Sequence, residues 1–396
     1  MSLPLAGIKV VDICTVYAGP FAAMMLADQG AEVVKIEPPD GDSARTMTTI
    51  PETDVSLSFL TFNRNKRSVV FDITTDPGKE AAYKLIEAAD VLIINTRVDG
   101  RRRRGFDYET LSKINPRLIY VSITGYGDDG PEANLPGIDI IVQARVGDIG
   151  SRTVPGQEPP RHTPLFHFDM GTSIVTAWAV TLALRERDKT GRGQKIEASL
   201  LQTALTLHAL QTARVEGIDV RGAVRMEGPR SAYRCADGRY VSNTTANIRR
   251  GWNTLIDTFP IPELIIDERF ATEAGRLEHT KEIEDILAKE FLTKPADEWE
   301  AIFKAAGHTA SIIRQTEDVH EDPQVVANNM ITHFHQPGLG DVDAVGRPFR
   351  SSETANEPVF RSPAPHLGEH TDEVLAELGY SADQIASMHT AGALGH

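Results

Sequence analysis

The hydrophobic and polar positions in the first half of the chain alternate between two patterns. Short apolar runs predict strands at residues 8–13, 32–36, 91–94 and 118–122. Apolar residues on one face predict helices at residues 21–29, which stop at Gly30, and at residues 76–89, which begin with Asp76 and Pro77. Strands that alternate with helices are typical of βαβ units, so we predict an α/β fold with a Rossmann-like parallel sheet. Ligands of such sheets bind beyond the carboxyl ends of the strands.

The pattern changes after a long predicted helix at residues 172–187. From about Gly228 it indicates a hairpin around Asp237-Gly238, followed by helices rich in Glu, Lys and Ala. Residues 332–365 are rich in Gly and Pro and are expected to be extended, and two short helices end the chain. We therefore expect a large domain at 1–200, a linker helix at 201–227, a smaller α+β domain at 228–330, and a return linker with the last part of the large domain at 331–396.

Composition narrows the possible functions. The chain has 396 residues, of which 41% are hydrophobic and 24% charged, as in an ordinary globular protein. Its net charge of -15 argues against a nucleic-acid partner, because a phosphate surface requires a basic footprint. Two cysteines cannot form a disulfide framework, and neither a secretory signal pattern nor an apolar run of membrane-spanning length is present. We expect a cytoplasmic protein with no membrane partner.

Several common sites are disfavoured by their missing motifs. The turn after the first predicted strand, residues 15–20, lacks the G-x-G-x-x-G fingerprint of dinucleotide binding, although Glu37 stands where a ribose-binding acid would end the second strand. His333 and His335 would share one face of a strand, but no third ligand with metal-site spacing lies nearby. No P-loop or G-x-S-x-G motif occurs. We therefore predict no metal site and no nicotinamide or flavin cofactor.

A run of four arginines, 101–104, follows the predicted strand 91–94. A solvated loop, a localisation signal and a phosphate-binding site all remain open for this run. The third interpretation is supported by its position after a strand, and by the planar fork of donors that arginine offers to phosphate.

Asp169 stands at the N-terminal edge of the predicted helix 172–187 and is followed by Met170-Gly171. A capping aspartate would explain this position structurally, and from position alone capping is the favoured interpretation. A functional interpretation uses the same physics, because a helix N-terminus favours the ionised carboxylate and its N–H groups can hold developing oxyanions. Gly171 would let a ligand approach the backbone closely.

The order and spacing of these and other segments resemble the class III CoA-transferases, the group of formyl-CoA:oxalate and carnitine CoA-transferases, with the 2-methylacyl-CoA racemases as relatives. The segment that resembles them most is Asp169-x-Gly171 with Arg187, Gly191, Gly193 and Gln194. The other matching segments are residues 5–12, 18–20, 30–38, 65–68, 89–93, 115–120, 125–127 and 364–375.

The resemblance implies a nucleophile, a substrate site and an assembly. It implies that Asp169 is the attacking nucleophile and that CoA is a substrate with no further cofactor. Attack on a thioester requires an ionised Asp169, which a helix N-terminus favours. It implies that the partners are an acyl-CoA, a carboxylic acid and a second copy of the chain in an interlocked homodimer. It places the CoA contacts on Tyr17, Ala18, Phe71, Asp72, Ile73, Thr74, Asn95, Thr96, Arg97 and Arg103.

Three functions follow, of which a CoA-transferase is the first. A 2-methylacyl-CoA racemase is the second, but it needs a further acid–base group. The racemases carry a histidine in a Gly-His-Asp run, whereas this chain has Gly137-Ile138-Asp139. A non-catalytic CoA-binding protein is the third. Tyr17 stands where the formyl-CoA enzymes have Gln, and residues 242–247 replace their glycine-rich loop, so small acyl groups such as oxalate are not expected.

Overall fold

A six-stranded parallel sheet forms the centre of the fold, and the predicted α/β class is confirmed. The computed structural model describes residues 3–153, 156–163, 165–218, 230–243, 251–258, 261–353 and 359–395. The sheet has the order β3-β2-β1-β4-β5-β6. Its strands are β1 Lys9–Ile13, β2 Glu32–Glu37, β3 Lys66–Val70, β4 Val91–Ile94, β5 Ile119–Thr124 and β6 Gln194–Ser199. The order reverses between β1 and β4, and the crevice beyond their carboxyl ends is where open α/β sheets bind ligands.

Helices cover both faces of this sheet. Alternate side chains of a strand point to opposite faces. In β1, Val10 packs in one core with α1 and α9, while Val11 and Ile13 pack in a second core with α4 and α6. The helices up to residue 212 are α1 Ala18–Asp28, α2 Ala44–Met47, α3 Leu57–Phe62, α4 Asp76–Glu87, α5 Val98–Arg104, α6 Tyr108–Ile114, α7 Asp139–Arg145, α8 Asp148–Ser151, α9 His167–Thr190, α10 Leu200–Leu207 and α11 Ala209–Thr212.

The chain forms two compact units, of which the smaller is Leu210–Ala327. Its antiparallel sheet has the order β7-β8-β9, and its core stacks the rings of Tyr233 and Phe291. The predicted hairpin joins β7 to β8, whereas residues 244–247 of the loop compared with the glycine-rich loop lie outside the described residues. The elements are β7 Ala232–Arg234, β8 Tyr240–Asn243, α12 Trp252–Thr258, α13 Pro262–Ile266, α14 Glu273–Glu278, α15 Thr280–Phe291, α16 Ala296–Ala305, β9 Ala310–Ile312 and α17 Pro323–Ala327, with 3-10 turns at Glu268–Phe270 and Thr316–Glu321.

The larger unit combines Met1–Ala209 with Asn328–His396. Its C-terminal part contains an antiparallel hairpin of β10 Ile331–Gln336 and β11 Gly340–Val345, so the segment predicted to be extended, 332–365, includes two paired strands. Two helices follow, α18 Thr371–Glu377 and α19 Ala382–Thr390.

The C-terminal part also covers β3, which is an edge strand of the sheet. The backbone N–H of His370 donates to the Ser68 carbonyl oxygen at 2.9 Å, and the Val70 N–H donates to Thr371 Oγ1 at 3.0 Å. These bonds occupy backbone groups that an open edge would expose. Within the described residues, no helix has both the length and the apolarity that crossing a bilayer requires.

Candidate active site

The loops after β1 and β4 are joined across the crevice at the switch point. Asn95 Nδ2 donates to the Thr15 carbonyl oxygen at 2.8 Å, and the Thr15 N–H donates to Asn95 Oδ1 at 3.1 Å. The next residue, Val16, has a φ of 71°, which is strained for a β-branched side chain. Its N–H donates to Asp42 Oδ1 at 3.0 Å, which helps to hold this conformation. Strained backbone of this kind concentrates at functional sites.

Tyr17 and Ala18 connect this loop to the start of α9. The Tyr17 ring lies 5.1 Å from that of Phe166, and its hydroxyl is 3.3 Å from Ser58 Oγ. Ser173 Oγ, on α9, donates to the Ala18 carbonyl oxygen at 2.8 Å. The first turn of α9 therefore lies beside the carboxyl end of β1. Tyr17 is buried, so its ring helps to form the wall of the site.

Helix α9 begins at His167, five residues earlier than the sequence pattern predicted. Its N-cap residue is Phe166, with a left-handed backbone at φ 46° and no capping side chain of its own. The cap comes from α7 instead, because the N–H groups of Phe168 and Asp169 donate to Asp139 Oδ2 at 2.7 and 2.9 Å. The interpretation of Asp169 as the capping aspartate is therefore wrong.

The Asp169 side chain is half-buried and unengaged. No donor among the described residues hydrogen-bonds to its carboxylate. Burial, and then the negative charge of Asp139, raise the pKa of Asp169 to about 7. The expectation that the helix N-terminus favours the ionised form of Asp169 is therefore wrong in direction: Asp139 accepts from the N–H groups that would have stabilised the anion, and its charge raises the pKa of Asp169 further.

Gly171 has a different use from the one predicted. A Cβ atom at this position would lie 3.0 Å from Thr203 Cγ2 and 3.1 Å from Leu207 Cδ1, both on α10. The missing side chain thus makes room for α10 against α9. The expectation that Gly171 opens the backbone to a ligand is not supported by this packing.

The arginine run divides by exposure. Arg101 is buried and pairs with Asp128 while also donating to Ser122 Oγ, so it holds α5 to the sheet. Arg103 and the N-cap residue Arg97 are exposed. Both follow the carboxyl end of β4 along the chain, Arg97 at the start of α5 and Arg103 in its last turn. The exposed members of the run, rather than Arg101, are available to a phosphate.

The segment after β3 lies at the same edge of the sheet, two strands away from β1. Two strand spacings amount to about 10 Å, a separation that an elongated ligand can bridge. Phe71 is buried in the core, so only its backbone is available for a contact, and Ile73 packs against that core. Asp72 Oδ1 accepts from the N–H and Oγ1 of Thr74, at 2.9 and 2.6 Å. Thr74 is exposed, as a ligand contact requires, and Thr96 is half-buried.

Buried charges support the loops of the site from below. Lys35 Nζ donates to the Cys14 carbonyl oxygen at 2.6 Å and pairs with Asp42 at 2.9 Å. Lys66 pairs with Asp12 at 2.9 Å. Because Asp42 also binds the Val16 N–H, this network fixes the strained turn after β1.

Glu37, considered above as a ribose-binding acid, is buried and structural. Arg45 donates to both of its carboxylate oxygens at 2.7 Å, and Ser68 Oγ donates to Oε1 at 2.6 Å. These bonds leave the carboxylate unavailable to a dinucleotide.

The two histidines of the hairpin are paired rather than clustered. His333 contacts Asp343 across the hairpin, and His335 Nδ1 lies 3.1 Å from Asp341 Oδ1. Over the described residues, no group of three or more His, Cys, Asp or Glu side chains has the arrangement of a metal site.

Two contributions to this site were not predicted from the sequence, namely the cap from Asp139 and the tie from Ser173. Asp139 lies 29 and 30 residues before the two residues whose N–H groups it accepts, so no local capping pattern reveals it. The glycines at 125 and 137 were a signal in the sequence, because glycine lets two backbone segments approach closely. In the structure, a Cβ atom on Gly137 would lie 2.5 Å from the Gly125 Cα, so the two segments cross just before Asp139.

Residues 5–371 match CoA-transferase family III. The chain belongs to this family. It is therefore an enzyme, a CoA-transferase that moves CoA between a thioester and a carboxylic acid, and CoA is its substrate. The recognition made from the sequence is confirmed.

The sequence of the transferase is similar to those of other CoA-transferases over nearly its full length. It is 32% identical to a formyl-CoA:oxalate CoA-transferase of Streptomyces avermitilis, with both chains covered completely. It is 33% identical to a succinate–glutarate CoA-transferase of Agrobacterium fabrum, covering 95% of this chain and 96% of the relative. A cinnamoyl-CoA:phenyllactate CoA-transferase of Clostridium sporogenes is 30% identical, covering 97% and 95%.

Two solved structures have the same fold as the transferase. A CAIB/BAIF family protein from Brucella suis superimposes with a TM-score of 0.80 at 31% identity, covering 96% of the transferase and 100% of that chain. A Mycobacterium tuberculosis protein in an orthorhombic crystal form gives a TM-score of 0.80 at 29% identity, covering 94% and 99%. The transferase therefore has the fold of this family over almost all of its chain.

Proposed function

We propose that Asp169 is the nucleophile through which the transferase exchanges CoA. A carboxylate oxygen attacks the thioester carbonyl carbon, the C–S bond breaks, and CoA leaves as the thiolate, with a mixed anhydride on Asp169. The thiolate then attacks the aspartyl carbonyl and releases the donor acid, which leaves CoA bound as an aspartyl thioester. The acceptor carboxylate reverses both steps. The thioester is conserved throughout, whereas hydrolysis would lose it.

The observation that supports this role most is the unengaged carboxylate of Asp169 at the switch point. None of the four displacement steps needs a proton, because carboxylates and thiolates are both the attacking and the leaving groups. The site must instead exclude water and hold CoA in place. The aromatic wall of Tyr17 and Phe166 beside the first turn of α9 suits that requirement.

One experiment distinguishes racemisation from CoA transfer. Racemisation needs two groups flanking the α-carbon, and Ile138 cannot carry a proton. We expect succinyl-CoA and a panel of carboxylic acids to give new acyl-CoA products by mass spectrometry. We expect no deuterium at the α-carbon of a 2-methylacyl-CoA held with the enzyme in deuterated water. Deuterium incorporation that requires Asp169, without transfer to any acid, would contradict the proposal and favour the racemase.

The proposed CoA site follows the carboxyl edge of the sheet. We propose that the thioester end lies beside Tyr17, Ala18 and Asp169, and that the remainder crosses the loops at Asn95–Arg97 and residues 71–74. Exposed Arg97 and Arg103 would meet the phosphates, since a guanidinium binds phosphate oxygens bidentately. This site would occupy the proposed large domain of residues 1–200 and 331–396, with 201–227 linking it to the proposed small domain, 228–330.

Arg103→Ala is expected to weaken CoA binding by about 1.5–3 kcal/mol, because a charge-assisted hydrogen bond to phosphate is lost. Isothermal calorimetry with CoA measures the change. Arg102→Ala is the matched control, since Arg102 is an exposed neighbour on the same helix and is not a predicted contact. Equal affinities for Arg103→Ala, Arg97→Ala and the wild type would assign the exposed arginines to the solvated surface.

We propose further that the enzyme is an interlocked homodimer, as its family resemblance implies, and that it works in the cytoplasm. The helix α9 offers a surface for a second copy, because Ile174, Trp178 and Leu182 follow each other at intervals of four and are 53%, 62% and 54% exposed. Such a stripe of large apolar side chains marks an interaction surface more often than a solvated one.

Tagged and untagged dimers are expected not to exchange subunits under native conditions, because threaded chains cannot separate without a large opening. Co-purification after mixing, followed over days, measures the exchange. Mixtures that were unfolded and refolded together provide the positive control. Rapid formation of mixed dimers without denaturant would exclude interlocking, and a monomeric mass would exclude the dimer.

A further inference from the structure

Asp139 connects α7 to the turn of α9 that carries Asp169. One of its carboxylate oxygens, Oδ2, accepts the N–H groups of both Phe168 and Asp169. The residue is 1% exposed, so this carboxyl group is enclosed by protein. Burial removes the water that would hydrate this group, and only well-formed hydrogen bonds offset the free-energy cost.

Gln143 fixes the other oxygen of the same carboxylate. Its Nε2 donates to Asp139 Oδ1 at 2.6 Å and to the Thr163 carbonyl oxygen at 3.2 Å, and its Oε1 accepts from the Thr163 N–H at 3.1 Å. Gln143 is fully buried. The carboxylate of Asp139 is thus aimed at the start of α9 by contacts on both of its oxygens.

The charge of Asp139 also acts on Asp169. The elements packed against α9 are α1, α7, α10, β5 and β6. The titratable groups on these elements or at their ends, and in the first turn of α9 itself, are Tyr17, Asp28, Tyr120, Asp139, Arg145, His167, Lys195, Glu197 and His208. Of these, Asp139 is the one whose charge raises the pKa of Asp169, in addition to burial. A nearby like charge disfavours a second anion.

We propose that Asp139 is a positioning residue of the transfer reaction, which holds the turn carrying Asp169 and makes the transfer rate depend on pH near neutrality. The proposal rests on the proposed role of Asp169 as nucleophile. In this proposal the Asp139 carboxylate holds the backbone of the turn that carries the nucleophile and acts on the nucleophile through its charge, without touching the substrate.

The test compares Asp139→Asn with the wild type in the pH profile of the first turnover with an acyl-CoA donor. Asparagine keeps an oxygen for the two N–H groups but removes the charge. We expect the acid limb of the profile to move to lower pH by about one unit. The CoA phosphates titrate identically in both measurements and cancel in the difference. Asp107→Asn is the matched control, because Asp107 caps α6 by accepting the Thr110 N–H and is predicted to leave the limb unchanged.

A second variant tests the proposal in case Asp139→Asn does not fold. In Asp139→Asn the new amide can face Gln143 Nε2, so Asp139→Ala is the second variant, because it leaves the bonds between Gln143 and Thr163 in place. It also removes the charge, so its acid limb should move in the same direction as that of Asp139→Asn. An unshifted limb in a folded variant, as judged by circular dichroism, would overturn the proposal if Asp169→Asn is inactive. An active Asp169→Asn enzyme would instead overturn the proposed function.

Discussion

Asp169→Asn is expected to lower the rate of CoA transfer by about three orders of magnitude or more, because an amide cannot form the anhydride. The variant should fold and should still bind CoA, since the Asp169 side chain makes no hydrogen bond to any described residue. Transfer is measured by mass spectrometry of acyl-CoA products. Incubation of the wild type with a donor should leave a covalent adduct on the peptide containing Asp169, and the variant should leave none. Full turnover by a folded Asp169→Asn protein would refute the nucleophile.

The same substitution is expected to stabilise the protein by about 1–2 kcal/mol at pH 8. Burial and Asp139 raise the pKa of Asp169 from 3.8 to about 7, so above pH 7 the folded state carries a carboxylate that it disfavours relative to the unfolded chain. The full shift would correspond to about 4 kcal/mol, and solvent screening of a half-buried group reduces this. The stabilisation should disappear below about pH 4, where Asp169 is protonated in both states.

Asp107→Asn is the control for this stability measurement, because the pKa of Asp107 is shifted in the opposite direction to that of Asp169. Although burial opposes it, the hydrogen bonds from Thr110 hold the pKa of Asp107 below its usual range. Its ionised form therefore stabilises the folded state above the unfolded pKa, and Asp107→Asn should not stabilise the protein at pH 8. Urea denaturation at pH 4 and pH 8 measures all three proteins. Equal stabilities of the wild type and Asp169→Asn at pH 8 would show that the carboxylate is not disfavoured.

Asp12→Ala is expected to destabilise the larger unit by about 3–5 kcal/mol, because it leaves buried ammonium groups without their partner. Asp12, Lys35 and Lys66 are fully buried, and Lys66 Nζ lies 2.9 Å from Asp12 Oδ2. Lys35 would retain Asp42, whereas Lys66 would retain only the oxygens of Pro20 and Asn63. Urea denaturation measures the loss, and Glu80→Ala, which breaks the exposed Lys84–Glu80 pair, should change stability by less than about 0.5 kcal/mol.

The loss should also depend on pH. Although burial opposes it, the neighbouring Lys35 and Lys66 hold the pKa of Asp12 below its usual range. The contribution of Asp12 is therefore complete above the unfolded pKa near 3.8 and is lost as pH falls through the lower folded value. Wild type and Asp12→Ala should differ most at neutral pH and converge in acid. A difference independent of pH would indicate that the side chain matters for packing rather than charge.

The central strands could be predicted from the sequence, and β3 could not. Strands β1, β2, β4 and β5 are apolar runs because both faces of a parallel sheet are covered. Strand β3 begins with Lys66 and contains Ser68, which are polar but fully buried, so its pattern does not resemble a core strand. Its polar residues are satisfied by Asp12 and Glu37, and neither partner is visible from spacing along the chain.

The proximity of the loops after β1 and β4 was predictable from the fold class, because parallel strands bring the loops at their carboxyl ends together. The choice of Tyr17, Ala18 and Asn95–Arg97 as CoA contacts came from the family resemblance and stays a prediction. The environment of Asp169 was not predictable, because the cap on its helix comes from a different helix. The arginine run shows the same limit: its four members look alike in sequence, and only the position of Asp128 makes Arg101 structural.

The C-terminal cover on β3 has a consequence for how the chain folds during synthesis. Asp72, at the end of β3, donates its backbone N–H to the carbonyl oxygen of Ala393, and Ser68 receives the N–H of His370. The larger unit cannot complete this sheet edge until Ala393 has left the ribosome. The smaller unit, Leu210–Ala327, is contiguous in sequence and contains its own core, so it can finish first although its residues are made after most of the sheet.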